Sequence, residues 1–497
     1  TRTSSSAASD VYKRQVMVSG FSWMDATFVR PQNVAGRGIR QTIAIDQPKR
    51  ERVGGGFDTQ RPPCHGTGTY LLFFNPLPYS QHMRAIYLNA GPMVHFDGRH
   101  EEPIHSKGKA IVTNGEFIEA IADSESVIAE YNLPSRLENF QNKDVAVYDL
   151  RHQAIVPGLI DAHTHLLWSG DRSREVAWRH EGKSYADIAS LGGGIQYTVS
   201  QTSNASTEVL YKLGYQRLRD ALRTGTTHLE AKSGYGLSTE SELMLLQTMD
   251  ELGKVNHLPS LDPTWMGAHD VPKGTSMDAY VESILSDQLP AVVEQGIARS
   301  ADVFCEPGWF SLEHTEAILK ASRSSGLSLR MHIDEFADGG GGALAADLRV
   351  DTADHAAHTP MEVRLNLKER GVNTGFLPGT PYAMGHQWPD MSSISENEIP
   401  FTLGTDFNPN CHTLSLPFVC SLMVQRCGVH PLEALAAVTV RAAKITPHPT
   451  GKEHGVLATG AVANFNIVDG PNWESIALRP SSTPFSGTVL NGNYLSQ

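Results

Sequence analysis

Long apolar runs are missing from this chain of 497 residues, and none approaches the roughly 20 residues that a membrane-spanning helix requires. Its first residues also lack a basic segment followed by an apolar one, which is the pattern of a secretory signal. We therefore expect a cytoplasmic protein with no membrane partner.

Cysteine is scarce, and the few thiols follow no motif. The chain has five cysteines, with no CxxC pair and no regular spacing: Cys64, Cys305, Cys411, Cys420 and Cys427. This excludes a disulfide framework of the secreted type and a zinc ribbon. We expect reduced thiols in an intracellular protein.

Basic residues are in deficit, with 41 Lys and Arg against 54 Asp and Glu and a net charge of −13. Phosphate backbones are bound by clustered Lys and Arg, so the balance argues against a nucleic-acid partner. Hydrophobic residues make up 40% of the chain and charged residues 19%, which excludes a wholly disordered chain.

The first 82 residues differ in kind from the rest, because they show no sustained period of 2 or 3.6. We expect a poorly ordered extension here. Two origins are compatible with the sequence: a flexible tail, or a translated upstream or cloning segment that is not native. In the second case Met83 would be the natural start.

Short β-rich runs begin at Met83, as in RAIYLNA and KGKAIVTNGEFIEAI, and the same texture returns near the end in ANFNIVDG and PFSGTVLNGNYL. We expect the segments 83–156 and 446–497 to pair into one small β-sandwich domain.

Between them, residues 157–445 alternate apolar β-branched runs with helical patterns, which predicts repeated βα units around a parallel sheet. Eight candidate strands are found: 154–165, 226–233, 260–269, 301–306, 327–333, 350–357, 372–379 and 400–407. Eight such units suit a closed (β/α)8 barrel, which takes roughly 250 residues.

Polar residues stand at the ends of these runs, where such barrels place their active sites. His163 and His165 are two apart, so an extended strand directs both imidazoles to one side. His332, His355 and Asp406 end later runs. Imidazole nitrogens with one carboxylate suit Zn²⁺ or Fe²⁺, and an open position lets the metal lower the pKa of water.

These residues resemble the amidohydrolase superfamily through PGLIDAHTH, His332, His355 and Asp406. The ordered motifs DAHTHLLWSGDR, GGGI, KSGYG, GAH, FCEPGWF, HIDEF, ADH and TDFNPN more narrowly resemble the imidazolonepropionase family, across most of residues 83–497. That resemblance implies hydrolysis of 4-imidazolone-5-propanoate to N-formimino-L-glutamate in histidine degradation. It also suggests a homodimer.

The resemblance implies four metal ligands: His163, His165, His332 and Asp406. Many members of the superfamily bridge two metals with a lysine at the end of the fourth strand, whereas here that run ends in Cys305 and Glu306. We therefore expect one metal, zinc or iron, and a structural or supporting role for Lys232.

Hydrolysis of the ring amide implies further roles. Asp406 would transfer the water proton, and His355 would stabilise oxyanion charge. Glu335, in HIDEF, would be catalytic or substrate-binding. The alternative for His355 is a buried, hydrogen-bonded histidine without a catalytic role.

An anionic propanoate needs a cation in the pocket, and Arg172 is the candidate, with a surface arginine as its alternative. By the resemblance, Tyr235 and His269 match family positions that hold the substrate, and Asn408 and Asn410 match positions beside the metal aspartate. Many relatives are expected to have Gly followed by a hydroxyl residue where this chain has Asn410 and Cys411. We still expect Asn408, Asn410 and Cys411 to contact the substrate.

Two other functions stay open. The chain would also suit another cyclic amidase of the superfamily, or an aminohydrolase that releases ammonia from a heterocycle, since fold alone does not separate these. A non-catalytic metal-binding barrel is the more distant alternative.

Overall fold

A computed structural model of the chain describes residues 84–134 and 144–496, and the structural statements below refer to these residues. The predicted extension (residues 1–82) and Met83, its alternative start, lie outside the described residues. Among the described residues, every helix is too short or too polar to cross a bilayer.

The strands of the described residues, in chain order, are β1 (Arg84–Leu88), β2 (Met93–Phe96), β3 (Pro103–Ser106), β4 (Lys109–Asn114), β5 (Phe117–Asp123), β6 (Val145–Asp149), β7 (Ile155–Pro157), β8 (Leu159–Asp161), β9 (Thr226–Lys232), β10 (Ser260–Ala268), β11 (Ser300–Cys305), β12 (Ser328–Ile333), β13 (Thr352–His355), β14 (Asn373–Phe376), β15 (Phe401–Leu403), β16 (Phe465–Val468), β17 (Phe485–Leu490) and β18 (Asn493–Ser496).

The α-helices of the same residues are α1 (Ser124–Glu130), α2 (Glu175–His180), α3 (Tyr185–Ser190), α4 (Gly194–Ser203), α5 (Thr207–Arg223), α6 (Thr239–Gly253), α7 (Met277–Ser283), α8 (Leu289–Gln295), α9 (Leu312–Ser324), α10 (Gly341–Leu348), α11 (Met361–Arg370), α12 (Gly379–Met384), α13 (Met391–Glu396), α14 (Leu416–Cys427), α15 (Pro431–Ala437) and α16 (Val440–Ile445). A π-helical turn (Ile284–Gln288) joins α7 to α8, and a 3₁₀ turn (Trp473–Ala477) follows β16.

Two sheets are built from the terminal segments. A four-stranded sheet has the order β5-β4-β1-β6, and a six-stranded sheet has the order β18-β17-β16-β7-β2-β3. Tyr87 and Ile111 of the first sheet share a buried core with Phe465 and Ile467 of the second. Both ends of the chain thus contribute to one β-sandwich, which confirms the predicted fold.

The middle of the chain forms the predicted barrel, with the eight strands β8 to β15 parallel and each beside its neighbour in sequence. Strands β9 and β11 are buried along their whole length. Burial on both faces explains why these runs show no polar–apolar alternation, although β9 also buries His228, Glu230 and Lys232.

The barrel closes through the residues that follow its first and last strands. Thr164 and Phe407 form a parallel bridge, the His165 amide donates to the Phe407 carbonyl at 2.9 Å, and the Asp406 amide donates to the His163 carbonyl at 3.1 Å. The closing seam therefore fixes the backbone of three of the four predicted metal ligands.

The run predicted as one strand over 154–165 is divided between two sheets, which corrects that prediction. β7 pairs with β16 in the sandwich, whereas β8 pairs with β9 in the barrel. Gly158 lies between them, and a Cβ there would overlap the Thr227 side chain. This absence of a side chain lets the chain pass from one sheet to the other.

Candidate metal centre

The histidines and the aspartate predicted from the strand ends meet at the carboxyl mouth of the barrel. His163 and His165 follow β8, His332 lies in β12, His355 ends β13 and Asp406 follows β15. Each is at most 8% exposed. The parallel order of the strands brings these residues together from positions as far apart as 163 and 406 in the sequence.

Short distances connect the four residues predicted as ligands. Asp406 Oδ1 lies 3.6 Å from both His163 Nε2 and His165 Nε2. His332 Nε2 lies 3.3 Å from His165 Nε2. The ligand atoms of His163, His165 and His332 all lie within 4.8 Å of one another, as do those of His163, His355 and Asp406.

This cluster fits a metal ion. His163 Nε2 and His165 Nδ1 are buried and have no hydrogen-bond partner among the described residues. Burial, reinforced by the neighbouring cationic groups, holds the pKa of both imidazoles well below the usual range, so they are neutral and retain a lone pair. Neutral imidazoles with one carboxylate are the donors that zinc and iron accept.

Buried carboxylates orient two of the imidazoles. His163 Nδ1 donates to Asp354 Oδ2 at 2.7 Å, and His332 Nδ1 donates to Asp302 Oδ1 at 3.0 Å. A proton held at Nδ1 leaves the Nε2 lone pair for a metal, and such outer carboxylates also make the ligand more basic. Neither aspartate was predicted from the sequence, although an acid within a predicted strand is a usable signal.

Lys232 belongs to the same supporting network. Its ammonium group is fully buried and pairs with Glu230 Oε1 at 2.8 Å and Asp302 Oδ2 at 2.7 Å. Both carboxylates neutralise the ammonium charge. Because Asp302 also accepts from His332 Nδ1, Lys232 helps to hold the carboxylate that orients this imidazole. This position agrees with the supporting role predicted for it.

The backbone is strained at two of the residues. Asp406 and His355 have φ angles of 50° and 65°, in the left-handed region that side chains disfavour. Asp406 is held in place because Thr380 Oγ1 donates to its carboxylate and Asn408 Nδ2 donates to its carbonyl at 2.8 Å. The surrounding hydrogen bonds thus fix a conformation that Asp406 would not prefer alone.

Glu335 lies beside His355 in the cavity wall, with Oε2 3.7 Å from His355 Nε2. Burial, together with the charges of Asp406 and Glu306, raises the pKa of Glu335 well above its usual range. Burial also raises the pKa of Glu306 to about 7, and Glu306 accepts a hydrogen bond from the Glu335 amide. A carboxyl group that keeps its proton near neutral pH can donate it to a substrate.

A cavity of about 600 Å³ opens above the ligands. Its walls include every predicted site residue except the deeper His163: His165, Arg172, Tyr235, His269, His332, Glu335, His355, Asp406, Asn408, Asn410 and Cys411. Its size suits a small heterocyclic molecule.

His269, Tyr235 and Cys411 shape the floor of this cavity. The ring of His269 stacks on that of His165 at 4.9 Å, and Tyr235 approaches it at 5.0 Å. Burial lowers the pKa of His269 to about 3 and raises the pKa of Cys411 to about 12. Both groups are therefore neutral, and Cys411 is not a thiolate nucleophile.

Arg172 is buried, with only 5% of its surface exposed, which excludes the surface alternative. Its Nε and Nη2 atoms donate to the two oxygens of Glu175 at 2.8 and 2.9 Å. Glu175 was missed in the sequence, although it lies at the start of α2 one helical turn from the predicted arginine.

Aromatic side chains at the mouth were also missed, although they lie in motifs already recognised. Phe304 contacts Trp309 with ring centroids 5.2 Å apart, and Trp309 contacts Phe336 at 5.6 Å. The first two belong to FCEPGWF and the third follows HIDE, so the motifs supply an apolar rim to the cavity as well as its polar groups.

Curated relatives cover most of the chain. An imidazolonepropionase of Haloarcula marismortui is 37% identical over 409 residues, spanning 82% of this chain and 94% of the relative. One from Shewanella putrefaciens is 36% identical over 406 residues, spanning 80% and 96%. One from Symbiobacterium thermophilum is 39% identical over 333 residues, spanning 66% and 78%. No protein-family model matches the chain.

Solved structures share the fold at low sequence identity. A triazine hydrolase variant has a TM-score of 0.60 at 17% identity, covering 84% of this chain and 95% of its own. Aspergillus niger ochratoxinase has a TM-score of 0.58 at 16%, covering 83% and 95%. Guanine deaminase of C. acetobutylicum has a TM-score of 0.56 at 15%, covering 83% and 100%.

Proposed function

Since the chain belongs to the imidazolonepropionase family, we propose that it hydrolyses 4-imidazolone-5-propanoate to N-formimino-L-glutamate. The observation that carries the proposal is the convergence of three imidazoles and one carboxylate beneath a cavity of about 600 Å³. The enzyme is a hydrolase acting on a ring amide, and its substrate is a small anionic heterocycle.

A single zinc or iron ion would be held by His163, His165, His332 and Asp406. When bound, the metal would polarise the ring carbonyl and lower the pKa of water to near neutrality. Lys232 is already neutralised by two carboxylates, and this argues against its bridging a second metal.

Asp406 moves the proton. Its Oδ1 faces His163 and His165, and its Oδ2 accepts from Thr380. From this position the carboxylate takes the proton of the attacking water and returns it to the ring nitrogen as the carbon–nitrogen bond breaks. The ring opens without loss of nitrogen, since the departing nitrogen stays attached to the product.

His355 and Glu335 complete the wall on which charge develops. Burial holds the pKa of His355 well below its usual range, so the neutral ring offers one N–H to the oxyanion. Glu335, protonated in its buried position, hydrogen-bonds a ring nitrogen of the substrate. The remaining substrate contacts are assigned to Arg172, Tyr235, His269, Asn408, Asn410 and Cys411.

We also propose domain boundaries and a cellular setting for the protein. Residues 83–156 and 446–497 form the sandwich domain, 157–445 form the catalytic barrel, and 1–82 are an extension. The protein acts in the cytoplasm as a homodimer, without a nucleic-acid partner.

Product identification tests the reaction. Incubation of the metal-loaded protein with 4-imidazolone-5-propanoate is expected to yield formiminoglutamate and no ammonia. Ammonia release would instead indicate a heterocycle aminohydrolase.

Asp406→Asn is expected to abolish turnover while the circular dichroism of the barrel is retained. Asp347→Asn, which alters an exposed carboxylate on α10, is the matched control and is expected to remain active.

A further inference from the structure

The charge of Arg172 is already neutralised within the cavity wall. Two of its three guanidinium nitrogens donate to Glu175, and Glu175 Oε1 also accepts from the Gly194 amide at 2.8 Å. The pair is buried on both sides, with 4% and 2% of the two side chains exposed. Arg172 and Glu175 together therefore offer an anionic ligand hydrogen-bond donors but no net charge.

A second guanidinium lies beside this pair. Arg179 is on α2, one turn after Glu175, and its Nη1 lies 3.9 Å from Glu175 Oε2, which is beyond hydrogen-bonding distance. Its side chain is 20% exposed, so it is shielded from bulk solvent but still open to the cavity it lines. Because Arg172 and Glu175 cancel each other's charge, Arg179 leaves this group of three side chains with one net positive charge.

Asn410 sets the direction of that guanidinium. Arg179 Nη1 donates to Asn410 Oδ1 at 3.5 Å. The Asn410 backbone is itself fixed, because its amide donates to Asn408 Oδ1 at 2.8 Å, and Asn408 in turn donates to the Asp406 carbonyl. The amide side chain thus links Arg179 to the loop that carries the metal aspartate. A glycine at this position would remove the link.

We propose that Arg179, oriented by Asn410, is a specificity-determining residue that binds the carboxylate of the substrate beside Arg172. The inference rests on the proposed function for the identity of the reacting substrate. It assigns the anion-binding charge to a residue that the sequence motifs did not single out. It also gives Asn410 a positioning role in addition to the substrate contact proposed for it.

The test compares ligands that differ only in the carboxylate. Arg179→Met is expected to raise KM for 4-imidazolone-5-propanoate by about tenfold to a hundredfold, the loss expected for a charge-assisted contact. The kcat should stay within about threefold, because the contact is remote from the reacting bond. With the corresponding propanamide, the variant and the wild type should have the same KM.

Two further variants separate positioning from general charge. Arg174→Met removes the same charge from an exposed arginine directly before α2 and is expected to leave KM unchanged. Asn410→Gly is expected to raise KM less than Arg179→Met does, and to add nothing when combined with it. Additive effects of the two changes would overturn the positioning role.

Equilibrium binding keeps this inference separate from the reaction. The holoenzyme is titrated with 3-(imidazol-4-yl)propanoate and with its amide, neither of which has a ring amide to hydrolyse. Arg179→Met should weaken binding of the acid by about tenfold or more and leave binding of the amide unchanged. Equal effects on both ligands, or on neither, would overturn the inference, whereas absent turnover by the wild type would overturn only the proposed reaction.

Discussion

At the scale of single residues, the imidazoles are directed by carboxylates beneath them. Asp354 accepts from His163 Nδ1 at 2.7 Å, which holds the other nitrogen toward Asp406. Asp354→Asn would keep the size but weaken this hydrogen bond. We expect metal affinity to fall by about tenfold to a hundredfold, measured by competition with a chelator. An affinity equal to that of Asp347→Asn would contradict this role.

Gly404 is a second residue on which the metal centre depends. A Cβ at this position would lie 2.9 Å from His163 Cβ and 3.1 Å from the His163 amide nitrogen. We therefore expect Gly404→Ala to displace His163 and to lower both metal content and turnover. Gly253→Ala is the control, since its Cβ would meet Leu261 at an ordinary 3.8 Å. Full metal content in Gly404→Ala would show that the backbone shifts without cost.

The convergence of His163, His165, His332 and Asp406 could be predicted because their spacing has a direct geometric meaning. An HxH pair after a strand places two rings on one side, and the ends of parallel strands meet at one mouth. The pairing of Arg172 with Glu175 spans only three residues, so the spacing could have suggested it. The burial of the pair in the cavity wall could not be foreseen, because it depends on how the residues after β8 pack in the complete barrel.

At the scale of elements, the eight barrel strands overlap the runs predicted for them, since each run has enough apolar and β-branched residues to mark a strand. Buried charged residues, such as Glu230 and Lys232 in β9, interrupt these runs without changing the prediction. The division of the first run into β7 and β8 was not predictable from that pattern. Both halves are fully buried, and their partners, β16 and β9, distinguish them.

Three histidines cluster away from the metal centre and predict a pH effect on stability. His228, His448 and His454 are buried with ring centroids 5.0 to 5.4 Å apart, and burial lowers the pKa of His448 and of His454 to about 4. The unfolded chain binds these protons near pH 6.5. Stability is therefore expected to fall as the pH drops from about 6.5 toward 4, by about 1.4 kcal/mol per pH unit for each proton.

Removal of one imidazole tests this effect. In His448→Asn, the side-chain oxygen can replace the Nδ1 atom that accepts from the Thr450 amide. Urea unfolding at pH 7 and pH 5 is expected to show a smaller loss of stability in the variant than in the wild type. The same loss in both proteins would mean that other groups control the acid sensitivity.

At the scale of the whole molecule, the first and last segments of the described residues are brought together by the six-stranded sheet, in which β16 pairs with β7. Similar β texture at both ends predicted this pairing, but not the order of the strands. The closing seam was not predicted, because hydrogen bonds between residues 163–165 and 406–407 depend on the curvature of the complete barrel. Closure of the barrel thus uses three of the residues proposed to bind the metal.

Metal analysis combined with turnover is the most direct test of the central claim, that distant strand ends assemble one metal site that performs hydrolysis. The purified chain should contain one equivalent of zinc or iron. A chelator should remove metal and turnover in parallel, and re-addition of one equivalent should restore both. Two equivalents per chain, or full turnover after metal removal, would contradict the account.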